Sequence, residues 1–363
     1  MTQVKKIALL GTHGVPARHG AFEQAIFKIC EVAKLSNVDA HFLVGCSAAS
    51  RSLHFNQSNV TRIFAARPRG IGILFYDLAT SLKAYLMGAR TFVYFGYEFA
   101  PFFPLLRLLG VRVICNVDGI EWRRAKWQAM ARRYFRFCEW MAARTASELV
   151  FDAVGIARYY GINHGVSGNL IFYGSDPVPG HSTAPDFEPN SYYSLVMRME
   201  PENNIKMIIE GFGRSNSSRP LLLIGPSTEF FERECTPHID GVKVRYLGPI
   251  YDRERLLEIR RNSYAYVHGH SVGGTNPTLI EAIALGNRVI AYNSIFNREV
   301  CGDNARYFSN AEDLALIINE ADFPPPPKLS DAYEWDTVAA GYFQLCGLTA
   351  ASRGSLKANQ ASL

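Results

Sequence analysis

The sequence predicts an α/β protein built from two consecutive doubly wound parallel sheets. Short apolar strand patterns alternate with helical patterns through the first half of the 363 residues, beginning at "KIALLG". The same alternation restarts at Tyr192, after a stretch of residues 176–191 rich in Pro, Ser and Asp. Alternating strands and helices favour parallel sheets that are covered on both faces, and a polar, proline-rich stretch is typical of a linker.

The elements follow in order along each half. The first half holds the strands "KIALLG", "AHFLVG", "TFVYFG", "VRVICNVDG" and "ELVFDA", with helices predicted over Ala21–Leu35, near Asp77–Leu86 and over Trp127–Ala146. The second half holds the strands "YSLVMRM", "PLLLIG", "VKVRYLG", "YAYVHG" and "RVIAY", with helices predicted over Ile205–Phe212, Arg253–Arg261 and Pro277–Leu285. We therefore expect an N-terminal domain over 1–175, a linker over 176–191 and a C-terminal domain over 192–330. A helix over 331–346 is expected to pack back on the N-terminal domain, and a flexible tail is expected over 347–363.

Composition and charge narrow the function classes. Apolar residues make up 48% of the chain, and the seven cysteines are scattered without C-x-x-C spacing, which favours reduced core cysteines. No apolar run reaches the roughly 20 residues that a membrane span needs, and the N-terminus reads as a strand, so we expect a cytoplasmic protein. Residues 1–175 carry 21 Lys and Arg against 10 Asp and Glu, whereas residues 176–363 carry 17 against 23. The basic half predicts an anionic partner or surface.

A glycine-rich connection precedes the helix predicted at Pro277. It runs Ser271-Val272-Gly273-Gly274-Thr275-Asn276, directly after a buried strand. Such a connection aims the free N–H groups and the dipole of the helix at an anion. Glu281 lies one turn into this helix.

A second glycine-rich turn, "GTHGVPARHGAFEQ", follows the first strand. Gly14 and Gly20 would let a ligand approach the backbone, and Arg18 and His19 could meet an anion. The turn lacks the G-x-G-x-x-G spacing, so a dinucleotide site is weakly supported, and a bare strand–helix turn is the alternative.

Two charged residues stand at predicted strand ends. Asp118 ends "VRVICNVD", where it would be either a helix N-cap or a carboxylate facing a substrate hydroxyl. Arg198 ends "YSLVMR", where its guanidinium would either bind phosphate oxygens or pair with Glu200 or Glu202.

Basic and aromatic residues interleave between positions 122 and 144. Such a mixture is typical of a membrane-surface element, but a plain amphipathic helix and a nucleic-acid patch are alternatives. No nucleic-acid motif accompanies it. We assign the membrane or acceptor side to its first members, Trp122, Arg123, Arg124, Lys126 and Trp127.

The sequence lacks the motifs of several common kinds of catalytic and metal site. His268 and His270 alternate at a strand end, but no carboxylate lies close in sequence to complete a zinc site. The chain contains no Asp-x-Asp, no G-x-S-x-G and no P-loop, which argues against a metal-bridged diphosphate, a hydrolase and a kinase. We expect neither a metal nor a cofactor.

Together these features resemble the retaining GT-B glycosyltransferases of family 4. "RMEPENN" and the glycine-rich turn before a Glu-bearing helix carry the resemblance in the second half. "GTHGVPARHGAFEQ", "GYEFAPFFPLLRLLG", "NVDGIEWRRAKW" and "IFYGSD" resemble the bacterial rhamnosyltransferase-type branch, which builds capsule and O-antigen polysaccharides. The resemblance covers residues 5–345 and implies two Rossmann-like domains that face a central cleft.

The resemblance also implies site residues. Glu281 matches the second Glu of the family's Glu-x7-Glu signature, which binds the ribose hydroxyls of the nucleotide. Gly273, Gly274, Thr275 and Asn276 match the loop that holds the diphosphate and the sugar, and Arg198 matches the basic diphosphate ligand.

The remaining matches lie beside the nucleotide and the transferred sugar. Gly14 matches the N-domain glycine turn, the Gly248-Pro249-Ile250 turn borders the nucleobase, and Asp118 falls near the transferred sugar. Two positions depart from the pattern: Ser271 replaces an acid, and Asn203 replaces a lysine.

The implied function is transfer of a deoxyhexose, such as L-rhamnose from dTDP-rhamnose, onto a lipid-linked oligosaccharide at the inner face of the plasma membrane. The expected partners are a nucleotide-sugar donor, a lipid-linked saccharide acceptor and an anionic membrane surface, without nucleic acid. A catalytically silent sugar-nucleotide-binding protein and a transferase of UDP- or GDP-sugars are the alternatives. A nicotinamide oxidoreductase is disfavoured because its fingerprint is absent.

Overall fold

A computed structural model describes residues 4–16, 20–67, 72–124, 127–176 and 186–349. The chain divides into two compact units. The first comprises Met1–Arg123, Trp127–Gly174 and Asp331–Leu363, and the second comprises Arg124–Lys126 and Ser175–Ser330.

The first unit is built on a seven-stranded parallel sheet in the order β3-β2-β1-β4-β5-β6-β7. Its strands are β1 (Lys5–Leu10), β2 (Ala40–Ser47), β3 (Val60–Ala65), β4 (Thr91–Phe95), β5 (Arg112–Asn116), β6 (Glu148–Phe151) and β7 (Asn169–Leu170). The helices between them are α1 (Ala21–Leu35), α2 (Gly72–Leu86), α3 (Phe103–Leu108), α4 (Ala129–Thr145) and α5 (Val154–His164). From β1 the chain first adds β2 and β3 on one side and then β4 to β7 on the other, so the strand order reverses between β1 and β4.

Helices cover both faces of this sheet. Ile7 and Leu9 of β1 pack in one core with α1. On the other face Tyr94 of β4 lies 5.0 Å from the Phe103 ring of α3, and its hydroxyl is 2.6 Å from that of Ser81 on α2. The alternation of side chains along each strand therefore places α1 on one face and both α2 and α3 on the other.

The second unit has a six-stranded parallel sheet in the order β10-β9-β8-β11-β12-β13. Its strands are β8 (Tyr193–Val196), β9 (Leu221–Ile224), β10 (Val244–Gly248), β11 (Ala265–His268), β12 (Val289–Tyr292) and β13 (Arg306–Phe308). Its helices are α6 (Ile205–Arg214), α7 (Glu229–Glu234), α8 (Arg253–Arg261), α9 (Pro277–Ala284), α10 (Ile295–Cys301) and α11 (Ala311–Glu320). One core packs against α6 and α11, and the other against α8 and α9. The order reverses between β8 and β11.

The last helix of the described residues, α12 (Trp335–Leu345), belongs to the first unit and packs against α1. Tyr342 on this helix lies in the core beside Phe95. Its hydroxyl accepts a hydrogen bond of 2.7 Å from the Nδ2 group of Asn116, which ends β5. A buried polar contact between residues so far apart in sequence fixes the position of the helix on the sheet.

Candidate functional site

The candidate site of the second unit lies where the strand order reverses. In open parallel sheets the loops that follow the two strands flanking such a reversal form the usual ligand site. Here those loops follow β8 and β11, and they contain Arg198 and the stretch Ser271–Asn276. The topology thus places the two strongest sequence candidates at the same edge of one sheet.

The amide of Asn203 joins the two loops. Its Nδ2 group donates to the Arg198 carbonyl over 2.7 Å, and its Oδ1 atom lies 2.7 Å from the Nδ1 atom of His270. A Cβ atom on Gly269 would lie only 1.9 Å from the Asn203 carbonyl oxygen, so only glycine fits there. The side chain predicted to contact the donor is therefore engaged inside the loop framework.

Ser271 has the same kind of role. Its backbone N–H and its hydroxyl both donate to the carbonyl of Glu202, over 3.0 and 2.8 Å. Asn204 adds a further hydrogen bond between the loops, because its Nδ2 group donates to the Gly269 carbonyl over 2.8 Å. These bonds hold the β11 loop against the β8 loop, and they give Ser271 and Asn203 roles within the loop framework.

Helix α9 begins at Pro277, and the fold there is explained by its cap. The Oδ1 atom of Asn276 accepts from the N–H and the hydroxyl of Thr278, over 2.9 and 2.8 Å. Proline in the first turn lacks only an N–H that would have had no helical partner. Gly273, in the preceding loop, has a φ of 102°, a conformation that favours glycine. Gly273, Gly274 and Thr275 are buried.

Glu281 lies on α9, one turn beyond the cap, and its side chain is 47% exposed. The carboxylate forms an ion pair with the guanidinium of Arg260, which is 1% exposed. The Nη2 group of Arg260 also donates to the Thr278 carbonyl over 2.6 Å. The sequence analysis did not single out Arg260. The only sequence feature that marks it is its position next to the apolar Ile259, on a helix that packs against the sheet.

Arg198 is exposed, and its guanidinium makes no ion pair with any described residue. The pairing with Glu200 or Glu202 that the sequence left open is therefore not formed in the described part of the chain. Gly248, at the end of β10, has a φ of 74°, and a Cβ there would meet nothing within 4 Å.

Two buried histidines end β11. Burial lowers the pKa of His268 well below its usual value and that of His270 to about 4, so both are neutral near pH 7. Neither ring nitrogen of His268 has a hydrogen-bond partner among the described residues. No group of three metal-ligating side chains occurs in the ranges that the structure describes.

In the first unit Gly14 lies in the turn after β1, beside the reversal between β1 and β4. Its φ is 86°, and a Cβ would lie 2.4 Å from Cys46 Sγ and 2.6 Å from the Gly45 carbonyl. The Oε1 atom of Glu23 accepts from the His13 N–H over 2.8 Å and so fastens the turn to α1. Close packing on β2 thus explains Gly14 without a ligand. Arg18 and His19 lie outside the described residues.

Asp118 follows β5 and has a φ of 57°, and its N–H donates to the Oδ1 atom of Asn116 over 3.0 Å. The next helical turn begins three residues further on, at Glu121. A non-glycine residue in this conformation is uncommon and is often found at functional sites.

The two tryptophans assigned to the membrane or acceptor side are held by internal contacts. The indole N–H of Trp122 donates to buried Glu139 over 3.0 Å, and that of Trp127 donates to Glu121 over 2.8 Å. Arg123 is exposed and stacks on the Trp122 ring, and Arg124 is half-buried. Lys126 lies outside the described residues.

The architecture of two parallel-sheet α/β units, each with loops at a strand-order reversal, defines the GT-B class of glycosyltransferase fold. Residues 185–321 match the family model described as glycosyl transferases group 1, and residues 4–176 match the model described as a domain of unknown function, DUF1972. A search of curated proteins gives no match.

Solved structures share the fold over nearly the whole chain. Sucrose-phosphate synthase from Thermosynechococcus elongatus is 15% identical with a TM-score of 0.73, covering 94% of this chain and 98% of its own. Anabaena HepE in complex with UDP-glucose is 15% identical with a TM-score of 0.65, covering 95% of each chain. WaaG, a glycosyltransferase involved in lipopolysaccharide biosynthesis, is 12% identical with a TM-score of 0.65, covering 93% of this chain and 95% of its own. These likenesses show the fold, and the family match supports a glycosyltransferase.

Proposed function

We propose that the chain is a retaining glycosyltransferase that uses a nucleotide-activated deoxyhexose, such as dTDP-rhamnose, and a lipid-linked saccharide acceptor in bacterial surface polysaccharide synthesis. One observation carries the proposal: a capped, glycine-rich helix start with a half-exposed Glu281 lies at the strand-order reversal of the segment that matches glycosyl transferases group 1. The bound UDP-glucose in HepE supports a nucleotide-sugar donor.

In this proposal the donor diphosphate lies on the backbone amides of Gly273–Asn276, at the positive end of the α9 dipole. The exposed guanidinium of Arg198 adds a bidentate positive charge. These groups stabilise the negative charge that develops on the leaving diphosphate as the bond to the sugar breaks. Because the sequence has no Asp-x-Asp, the proposal gives this task to protein groups rather than to a metal ion.

The remaining steps need few protein groups. Glu281 binds the ribose and so fixes the nucleotide in the site. The leaving diphosphate deprotonates the acceptor hydroxyl as a positively charged sugar centre forms, so no protein nucleophile is required. Asp118 is assigned to the sugar, where its carboxylate would contact a hydroxyl.

A second candidate function is a catalytically weak or silent sugar-nucleotide-binding protein. The loop framework favours it, because Ser271 and Asn203 use their polar atoms on Glu202, Arg198 and His270. A donor sugar would then have fewer side-chain contacts than it would have with an acid at position 271. Donor hydrolysis or transfer by the wild-type chain would separate the two functions.

The test is a thermal-shift screen with dTDP-, UDP- and GDP-sugars, followed by a transfer assay with the donor that binds. A ligand that binds only the native state raises the melting temperature. We expect Glu281→Ala and Arg198→Ala to reduce the shift and abolish transfer while the unliganded protein still melts cooperatively. Glu229→Ala, at an exposed position on α7, is the control and should behave as wild type. Wild-type turnover by the Glu281 and Arg198 variants would refute the proposal.

We further propose that the first unit binds an anionic membrane through α2, α3 and α4. On α2 the exposed apolar side chains recur three or four residues apart, which places them on one stripe: Phe75, Leu78, Leu82 and Leu86. On α3 and α4 the exposed apolar side chains are Leu105, Leu108, Met130, Phe137 and Trp140. Large apolar side chains exposed in this number favour an interaction surface.

The charge on these three helices favours a lipid surface. Their only acids, Asp77 and Glu139, are both buried, whereas their basic residues are Lys83, Arg107, Arg132, Arg133, Arg136 and Arg144. Exposed apolar side chains among cations, without exposed acids, suit the boundary between anionic headgroups and acyl chains. None of the helices in the described part of the chain combines the length and apolar character that a bilayer crossing requires.

A further inference from the structure

Arg260 is the most deeply buried arginine of the described chain, and its partners all surround the first turn of α9. Burying a guanidinium is costly unless charge and hydrogen bonds compensate it. Here Nη1 pairs with the Glu281 carboxylate, and Nη2 donates to the Thr278 carbonyl over 2.6 Å. The guanidinium also lies 5.3 Å from the centre of the Tyr266 ring. One side chain of α8 thus contacts both the cap region and the acid of α9.

The Tyr266 hydroxyl strengthens this arrangement. It lies 3.1 Å from the Thr278 hydroxyl and donates to the Val196 carbonyl at the end of β8, also over 3.1 Å. Arg260 and Tyr266 therefore connect the first turn of α9 to both strands that flank the reversal. Burial by itself would lower the pKa of Arg260, but Glu281 and Tyr266 raise it, so the guanidinium stays charged.

Glu281 is held on one side only. Arg260 occupies Oε2, while the side chain remains 47% exposed and Oε1 has no hydrogen-bond partner among the described residues. A glutamate without such a partner would sample several rotamers, and ordering it on binding costs free energy. The ion pair removes that cost and directs the remaining oxygen to solvent.

We propose that Arg260 is a positioning residue that pre-orients Glu281, so that its Oε1 atom accepts a hydrogen bond from a ribose hydroxyl of the donor nucleotide. This inference rests on the proposed function. It assigns to Arg260 no contact with the nucleotide itself. The charge of Arg260 therefore acts on nucleotide binding through the hydroxyl that Glu281 contacts.

The test compares binding of thymidine diphosphate and uridine diphosphate with that of their 3′-deoxy analogues by calorimetry. A hydrogen bond to a carboxylate should give the wild type a preference of about tenfold for the hydroxyl-bearing nucleotide. In Arg260→Met we expect that preference to fall below about threefold, with little change in affinity for the 3′-deoxy analogues. The matched control is Arg261→Met, since Arg261 pairs with Glu258 on its own helix. It should keep the full preference.

A purely structural role for Arg260 predicts a different result, namely equal loss of affinity for both nucleotides of each pair. That outcome, or an unchanged preference, would overturn the inference. If Arg260→Met does not fold, the same comparison is made with Arg260→Gln. The glutamine amide can still donate to the Thr278 carbonyl, but it has no positive charge to pair with Glu281. If the wild type binds nucleotides without discriminating the analogues, only the inference fails. If it binds no nucleotide diphosphate, the proposed function fails as well.

Discussion

Asp77 is a buried carboxyl whose removal should make the protein more stable at high pH. It lies on α2 with a side chain 3% exposed, and its Oδ1 atom has no hydrogen-bond partner among the described residues. Burial raises the pKa of this carboxyl to about 7, although the nearby charge of Arg67 opposes the shift. The native protein therefore favours the neutral acid, and ionisation opposes folding.

The size and sign of the effect follow from proton linkage. In the unfolded chain the carboxyl titrates near its ordinary pKa of about 3.9, so the two states differ by roughly three units, or about 4 kcal/mol. Because the folded-state pKa is the higher one, this stability is fully present below about pH 4. It is lost as the pH rises towards and through 7. The figure is an upper one, because local opening and water entry reduce the cost of a buried charge.

Denaturant unfolding of wild type and Asp77→Asn at pH 4.5 and pH 8 measures this difference. Asparagine resembles the neutral acid in shape. At pH 4.5 the unfolded carboxyl is already largely ionised, so we expect the free energy of unfolding to rise by only about 1 kcal/mol there. At pH 8 the free energy of unfolding should rise by roughly 2–4 kcal/mol. Other titrating groups cancel in the comparison, and Asp322→Asn, at an exposed position, is the control. An equal effect of Asp77→Asn at both pH values would show that the carboxyl is ionised in the native state and that our reasoning is wrong.

Two further predictions concern the first unit. Gly14→Ala should lower the free energy of unfolding by roughly 2–5 kcal/mol, because a Cβ there meets β2. The control is Gly110→Ala. Gly110 has a φ of 76° and nothing within 4 Å of a Cβ, so this change should lower the free energy of unfolding by only about 1 kcal/mol. Equal losses in denaturant unfolding would contradict the close packing at Gly14. Changing Phe137 and Trp140 together to Glu should weaken sedimentation with anionic vesicles by about tenfold or more, while Ile162→Glu, an exposed apolar position on α5, should not. Unchanged vesicle binding of the double variant would exclude this surface.

The sequence predicts two doubly wound parallel sheets and several of the helices that cover them, because these patterns are local. Helix α8 has the predicted bounds, and α9 begins at the predicted proline. The prediction omits two full-length helices, α5 and α11. It also omits shorter elements, among them α3, which has only six residues, and β3, an edge strand that is mostly half-exposed; the others are α7, α10, β7 and β13. It also starts α2 late, at Asp77 instead of Gly72. Short elements and edge strands carry too few periodic positions to stand out in sequence.

The candidate site divides in the same way. A glycine-rich loop and a first-turn proline lie within seven residues, so the helix start at Pro277 can be predicted from sequence. The contact of Asn203 with His270 joins residues 67 positions apart, and that of Arg260 with Glu281 joins residues 21 apart. Such pairs depend on the strand order, which places β8 beside β11 and α8 beside α9. No local pattern encodes that order.

The two departures from the family pattern gain a different meaning from these contacts. In the sequence, Ser271 and Asn203 are uncharged residues at positions where the family pattern has charged ones, and this difference favours weak activity. In the structure the serine and the asparagine instead hydrogen-bond the β8 loop to the β11 loop, at the point where the helix amides begin. A rigid loop lowers the entropic cost of binding a diphosphate, whereas a charged side chain adds attraction at the expense of its own ordering. Loss of a charged contact can therefore be offset by preorganisation, and the proposed activity then depends on the groups that remain open to a ligand, Arg198 and Glu281.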